Sequence, residues 1–183
     1  MVGLSNHKLM DSKHIALLPV FTALCVGIQL APRSPNVEFT SFICFLVGAL
    51  YGCIVGGLLG ALTMFINGFL SPWGFAGVIL PFQMIGMSLF GIVGGIYRRF
   101  VDKDFDRKKL GVEAAALGVL LTLIYDLFTN SGFAILYGLA FIPILILGAS
   151  FSVIHICCNA LLLAIGFPPL FKAIKNFQGR PKP

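Results

Sequence analysis

The chain has 183 residues, of which 58% are hydrophobic and 11% charged, and its mean hydropathy is +0.97. These values exclude an ordinary soluble globule and predict one all-α integral membrane domain over residues 1–183. The apolar runs are continuous and far longer than the alternating segments of about 10 residues that build a membrane barrel. The net charge of +6 is no argument for a nucleic-acid partner, because the basic residues flank the apolar runs and so have a topological explanation.

A short N-terminal arm, about 1–13, precedes the first apolar run at 15–31, which is read as a retained helix with Pro19 as a kink point. Ala16, Ala23 and Gly27 form its small-residue face, Ala23 and Gly27 making a small-xxx-small step suited to close packing against another helix or another protein. The loop that follows, APRSPNVEFTS, carries Asn36 and Glu38.

Residues 42–70 contain no charge and place Gly48, Gly52, Gly56 and Gly60 at every fourth position. This length is long for one crossing and short for two, since about 20 residues span the hydrocarbon core. Charge decides the matter. The segment 98–109, RRFVDKDFDRKK, holds six basic and three acidic residues, and both termini are basic. Only six crossings put all three on the cytoplasmic side. A tight turn near Tyr51-Gly52-Cys53 is therefore expected, joining two short helices of about 12–17 residues, with Glu38 to Ser41 near the outer interface. The result is a six-transmembrane-helix bundle with both termini cytoplasmic, a basic cytoplasmic loop at 98–109 and a cytoplasmic tail at 171–183.

Between Phe39 and Tyr97 no residue is charged. The strongly polar positions there, Asn67, Trp73 and Gln83, become candidates for a binding mouth, with interface anchoring the alternative for Trp73. The fourth span, 76–97, ends in closely spaced glycines. The fifth, 110–128, carries Asp126 about four residues from its expected end, with Thr129 and Asn130 following at i+3 and i+4 on the same side. Tyr125 is adjacent and points elsewhere, still within reach of a neighbouring helix. In the last span, about 138–166, Ser152, His155 and Asn159 share one face, and Gly166, Pro168 and Pro169 are expected to end the helix. A lone histidine without further ligands gives no metal site, and the five dispersed cysteines read as small hydrophobes. No cofactor is implied.

On six spans, Asn36, Glu38, Asn67, Trp73, Asp126 and Asn130 gather at the outer end while Gln83, His155 and Asn159 project deeper. That set suits an uncharged or zwitterionic ring-containing metabolite. Catalysis fits poorly, since there is no HExxH, nucleophile elbow or P-loop. An integral membrane scaffold, or a small ion-coupled secondary transporter using Asp126, are the alternatives.

The chain resembles the substrate-binding S components of energy-coupling factor (ECF) vitamin transporters. The resemblance is carried by its size, the Ala/Gly face of the first span, FICFLVGALYGCIVGGLLGAL, LSPWGFAG, the inner Arg-Arg loop, YDLFTNSGF and IHICCNALL, and it covers roughly 14–170. It implies a six-helix bundle in a prokaryotic plasma membrane that captures a vitamin-like molecule from outside under closing outer loops. It also implies a membrane-embedded coupling (T) protein and two cytoplasmic ATPases as partners, with release by toppling. The family's ligand contacts map onto Trp73, Gln83, Tyr125, Asp126, Asn130, His155 and Asn159. Its Ala-xxx-Ala coupling element maps onto Ala23 and Gly27, a departure at the second small residue that preserves close approach.

Overall fold

A computed structural model of the chain describes residues 12–32, 34, 36–72, 74–101 and 106–178. The fold is all-α, with six helices among the described residues: α1 (Ser12–Leu30), α2 (Thr40–Tyr51), α3 (Cys53–Leu70), α4 (Leu80–Tyr97), α5 (Arg107–Tyr137) and α6 (Phe141–Gln178). Four stretches, Cys53–Leu70, Gly77–Tyr97, Arg107–Tyr137 and Phe141–Asn176, are long and apolar enough to cross a membrane. The apolar part of α1, Ala16–Leu30, and α2 are shorter.

The charge-free stretch breaks at Gly52, whose φ of +103° is a conformation that L side chains rarely adopt. The chain folds back there. A Cβ on Gly56 would lie 2.6 Å from the Gly48 Cα, whereas a continuous helix would hold these residues about 12 Å apart. Helix α4 wedges into the opening: Gly91 meets the Gly56 carbonyl and Gly94 meets the Phe45 carbonyl, in both cases with no room for a Cβ. The small residues thus serve backbone-to-backbone packing among α2, α3 and α4, the use that lipid-embedded helices make of them.

Two contacts fix the relative ends. An Arg98 guanidinium nitrogen donates to the Leu50 carbonyl at 3.1 Å, so the α2–α3 turn lies at the end from which the basic segment leaves α4. Phe21 packs on Tyr51 with ring centroids 6.1 Å apart, while Gln29 Nε2 donates to Thr40 Oγ1 at 2.9 Å, so α1 rises from that basic end to the opposite one.

Helix α5 starts with an Asp106 cap, its carboxylate accepting from the Lys108 N–H, and ends at left-handed Gly138. Its 31 residues span about 46 Å, longer than the fifth span expected at 110–128. Arg107 to Lys109 belong to the helix rather than the loop, and the stretch SGFAILY is helical, so Asp126 sits about three turns from the helix end instead of one. Helix α6 also corrects the expectation: it passes through Gly166, Pro168 and Pro169 to Gln178, taking in the start of the expected tail. Pro168 deprives the Ala164 carbonyl of its helical donor, and that carbonyl faces Gly111 of α5. Phe167 and Phe171, both buried, stack at 5.1 Å across the prolines, and Phe167 also meets Phe45 edge-on, so both flanks of the proline pair are packed in the core.

Candidate functional site

Asp126 and His155 are adjacent on the antiparallel pair α5 and α6, with His155 Nδ1 2.9 Å from Asp126 Oδ1. Glu38 approaches the other ring nitrogen, its Oε1 3.6 Å from Nε2. All three are buried, with relative exposures of 8%, 4% and 5%. An isolated charge here would be prohibitive, and a carboxylate on each side of an imidazole is the arrangement that offsets it.

Glu38 is buried rather than solvated at an outer interface, because it has a second task. Its carboxylate accepts from the backbone N–H groups of Thr40 and Ser41, the first donors of α2. Burial alone raises its pKa. The His155 imidazole and the Ser41 hydroxyl and N–H outweigh that, so the carboxyl titrates below its ordinary value.

The loop carrying Glu38 is pinned across α6. Asn36, in the left-handed region at φ +59°, donates from Nδ2 to the Phe151 carbonyl at 3.0 Å, one turn from His155. Cys158 Sγ lies 3.9 Å from the Glu38 carbonyl.

Tyr125 reaches the neighbouring helices. Its ring meets His155 edge-on at 5.6 Å and its hydroxyl lies 3.9 Å from Met64 Sδ, so it fills the space between α3, α4 and α6. Asn159, fully buried one turn from His155, donates to Thr122 Oγ1 at 3.0 Å, and Thr122 in turn donates to the Gly118 carbonyl. Asn130 shares with Asp126 the face turned to α6, where it meets Gly148, whereas the Thr129 hydroxyl bonds its own helix at the Tyr125 carbonyl. Asn67 stands at the far end of α3 and Gln83 in the first turn of α4, both half-buried. Trp73 lies outside the described residues.

Several polar atoms here are buried without a hydrogen-bond partner: Asp126 Oδ2, His155 Nε2, Asn159 Oδ1, Asn67 Oδ1 and Thr63 Oγ1. Such groups are expensive inside a protein and call for a partner. The polar set also includes residues the sequence reading passed over, namely Gln29, Thr40, Ser41, Thr63 and Thr122. Thr122 and Thr63 each precede a singled-out residue by one turn, a spacing that could have found them. Among the described residues, no group of three His, Cys, Asp or Glu is arranged to hold a metal ion.

On α1, Ala16, Ala23 and Gly27 are exposed. Ala23 and Gly27 line an apolar groove of about 540 Å³ whose far wall is Leu62 and Ile66 of α3, and nothing lies within 4 Å of a Cβ placed on Gly27.

A bundle of long apolar helices closed around a buried ionisable cluster defines a multi-pass membrane protein whose polar centre is enclosed by helices. A family model described as "ECF-type riboflavin transporter, S component" matches residues 11–176, and the chain belongs to that family. It is a substrate-capture subunit for vitamin transport and a non-catalytic one. Among curated proteins and among solved structures, none matches the chain. ECF S components in general work with a T protein and ATPase modules.

Proposed function

We propose that this S component captures riboflavin, the vitamin in its family's description, at the centre built around Asp126 and His155. The observation that carries the reading is the set of buried polar atoms without a hydrogen-bond partner, Asp126 Oδ2 and Asn159 Oδ1, with His155 Nε2 held only by Glu38 at 3.6 Å, on neighbouring turns of α5 and α6. Riboflavin supplies what they lack: a ring imide N–H and the hydroxyls of its ribityl chain can donate to the two oxygens, and its ring heteroatoms can face the imidazole. Tyr125 supplies an aromatic wall, and Asn36, Glu38, Asn67, Gln83 and Asn130 form the mouth around it. The loop bearing Asn36 and Glu38 lies over His155 and has to shift for the ligand to enter.

In this reading all six helices cross the membrane, α2 as a short one, with both termini, the 98–109 segment and the 171–183 end in the cytoplasm. The positive-inside rule supports that orientation, since the α2–α3 turn lies at the basic end. The partners are a membrane coupling protein and two cytoplasmic ATPases. The exposed face of Ala16, Ala23 and Gly27 is where the coupling protein docks, because small residues admit a foreign helix closely.

The test is titration of the purified protein with riboflavin, followed by quenching of flavin fluorescence. Saturable one-to-one quenching is expected. Absence of quenching in protein freed of endogenous ligand by unfolding and refolding, with the helical circular dichroism signal recovered, would overturn the assignment.

A further inference from the structure

The hydroxyls of Thr22, Thr122, Thr129 and Ser131 each donate to the carbonyl one turn earlier in their own helix, the usual outlet for a hydroxyl in apolar surroundings. Thr63 of α3 does not. It is completely buried, yet its Oγ1 has no hydrogen-bond partner. One turn further on, Asn67 is half-buried, but its Oδ1 is enclosed and equally unpaired. The two residues share a face of α3 with Gly56, from which they stand at i+7 and i+11, and Gly56 is the residue that meets Gly48 of α2 and Gly91 of α4. The pair is therefore on the side of α3 turned into the bundle, in the half of the helix away from the basic end. A valine and a leucine would fill these positions and leave no polar atom unpaired, so packing accounts for neither side chain.

We propose that Thr63 and Asn67 form a polyol subsite that takes hydroxyls of the ribityl chain, an inference that rests on the flavin reading above. One side chain links this pair to the Asp126–His155 centre: the Tyr125 ring meets His155 at 5.6 Å, and the Tyr125 hydroxyl lies 3.9 Å from the sulfur of Met64, the neighbour of Thr63. The ribityl chain carries more hydroxyls than the unpaired oxygens of Asp126 and Asn159 can accept, and each of them both donates and accepts. Thr63 Oγ1 matches either role, and Asn67 Oδ1 accepts. The side chains beside the pair are ones that yield. Met64 is unbranched and adaptable, as is Met87, whose carbonyl opposes Gly60 one turn before Met64. A flavin with its ring beside His155 then lays its tail along α3 toward the mouth. Buried water would also satisfy the pair, but it would not distinguish a flavin that carries the chain from one that lacks it. A site built to bond hydroxyls does distinguish them, because its polar groups go unpaired when the chain is missing.

The test is fluorescence titration of the full chain with riboflavin and with lumiflavin, the same ring system carrying a methyl group in place of the ribityl chain. The native protein is expected to prefer riboflavin by roughly tenfold or more. Thr63→Val keeps the side-chain size and removes the hydroxyl. It should weaken riboflavin binding roughly tenfold and leave lumiflavin binding near the native value. Asn67→Leu should act in the same direction, and Thr63→Ser, which retains a hydroxyl, should keep the native preference. Without ligand, Thr63→Val should melt at or above the native temperature, since it removes a buried hydroxyl that has no partner. Equal native affinity for the two flavins, an equal loss of both in Thr63→Val, an unchanged preference in both Thr63→Val and Asn67→Leu, or a lowered melting temperature of ligand-free Thr63→Val would each overturn the subsite while leaving flavin capture standing. Binding of neither flavin by the native protein would overturn the flavin reading and the subsite with it.

Discussion

His155 Nδ1 lies 2.9 Å from Asp126 Oδ1, joining α5 to α6 through a buried hydrogen bond one turn from the one between Asn159 and Thr122. That bond occupies only one carboxylate oxygen and one ring nitrogen, leaving Oδ2 without a hydrogen-bond partner and Nε2 facing Glu38 at 3.6 Å, beyond hydrogen-bond length. A purely structural pair would be expected to use both ends of each group.

Asp126→Asn follows from this geometry. Asparagine preserves the volume and can still offer an oxygen to Nδ1, but it removes the charge and turns one acceptor into a donor. Riboflavin affinity is expected to fall by about 1–3 kcal/mol, or roughly five- to 150-fold, while the melting temperature changes little. Fluorescence titration beside a thermal melt checks it. Equal affinity for both proteins would show that Asp126 only ties the helices together.

Glu38 bears on stability first and binding second. It satisfies the first N–H groups of α2, the shortest of the six helices, and Glu38→Ala is expected to destabilise the fold by about 1–2 kcal/mol. A pH series separates cap from charge. Since its folded pKa is depressed, the stabilisation is present above the unfolded carboxylate value and is lost as pH falls through the folded one. The native protein should therefore lose thermal stability on acidification more steeply than Glu38→Gln. Parallel pH curves for the two would count against the arrangement.

These two carboxylates were unequally legible in the sequence. Asp126 stood out because nothing nearby explains a charge in an apolar run. Glu38 was legible only as a polar group at the outer mouth, since its burial depends on His155 far along the chain and on the N-terminus of a helix it precedes by two positions. The break at Gly52 could be deduced because charge balance demanded a turn and only glycine accommodates its backbone. Helix continuation through Pro168 and Pro169 could not, because proline locally favours a helix end, and the packing of Phe167 and Phe171 in the core on either side of the prolines depends on residues distant in the sequence. The four-residue glycine spacing announced close packing without naming the partner, and α4 is that partner.

Gly91→Ala tests that packing. The added methyl would overlap the Gly56 carbonyl, which belongs to backbone and cannot swing aside as a side chain would. Overpacking of this kind costs about 1–3 kcal/mol. A sharply reduced yield of folded protein and a lower melting temperature are expected, whereas Gly27→Ala, with open space around its Cβ, should melt like the native protein. Similar melting for both variants would mean that α2, α3 and α4 do not pack through their backbones in the membrane.

The same open space makes Gly27→Leu a test of assembly rather than folding. A leucine there would extend into the groove bounded by Leu30, Leu62 and Ile66, an apolar setting that accepts it without strain. Riboflavin binding by the isolated subunit should therefore persist. A helix of the coupling protein seated against Ala23 and Gly27 would be displaced by several ångströms, since close approach depends on the absence of a side chain. Co-purification of the variant with the coupling protein and its ATPases is expected to drop several-fold while vitamin affinity stays unchanged. Native co-purification would locate the docking face elsewhere on the bundle, and a parallel loss of vitamin binding would mean that this groove supports the capture site.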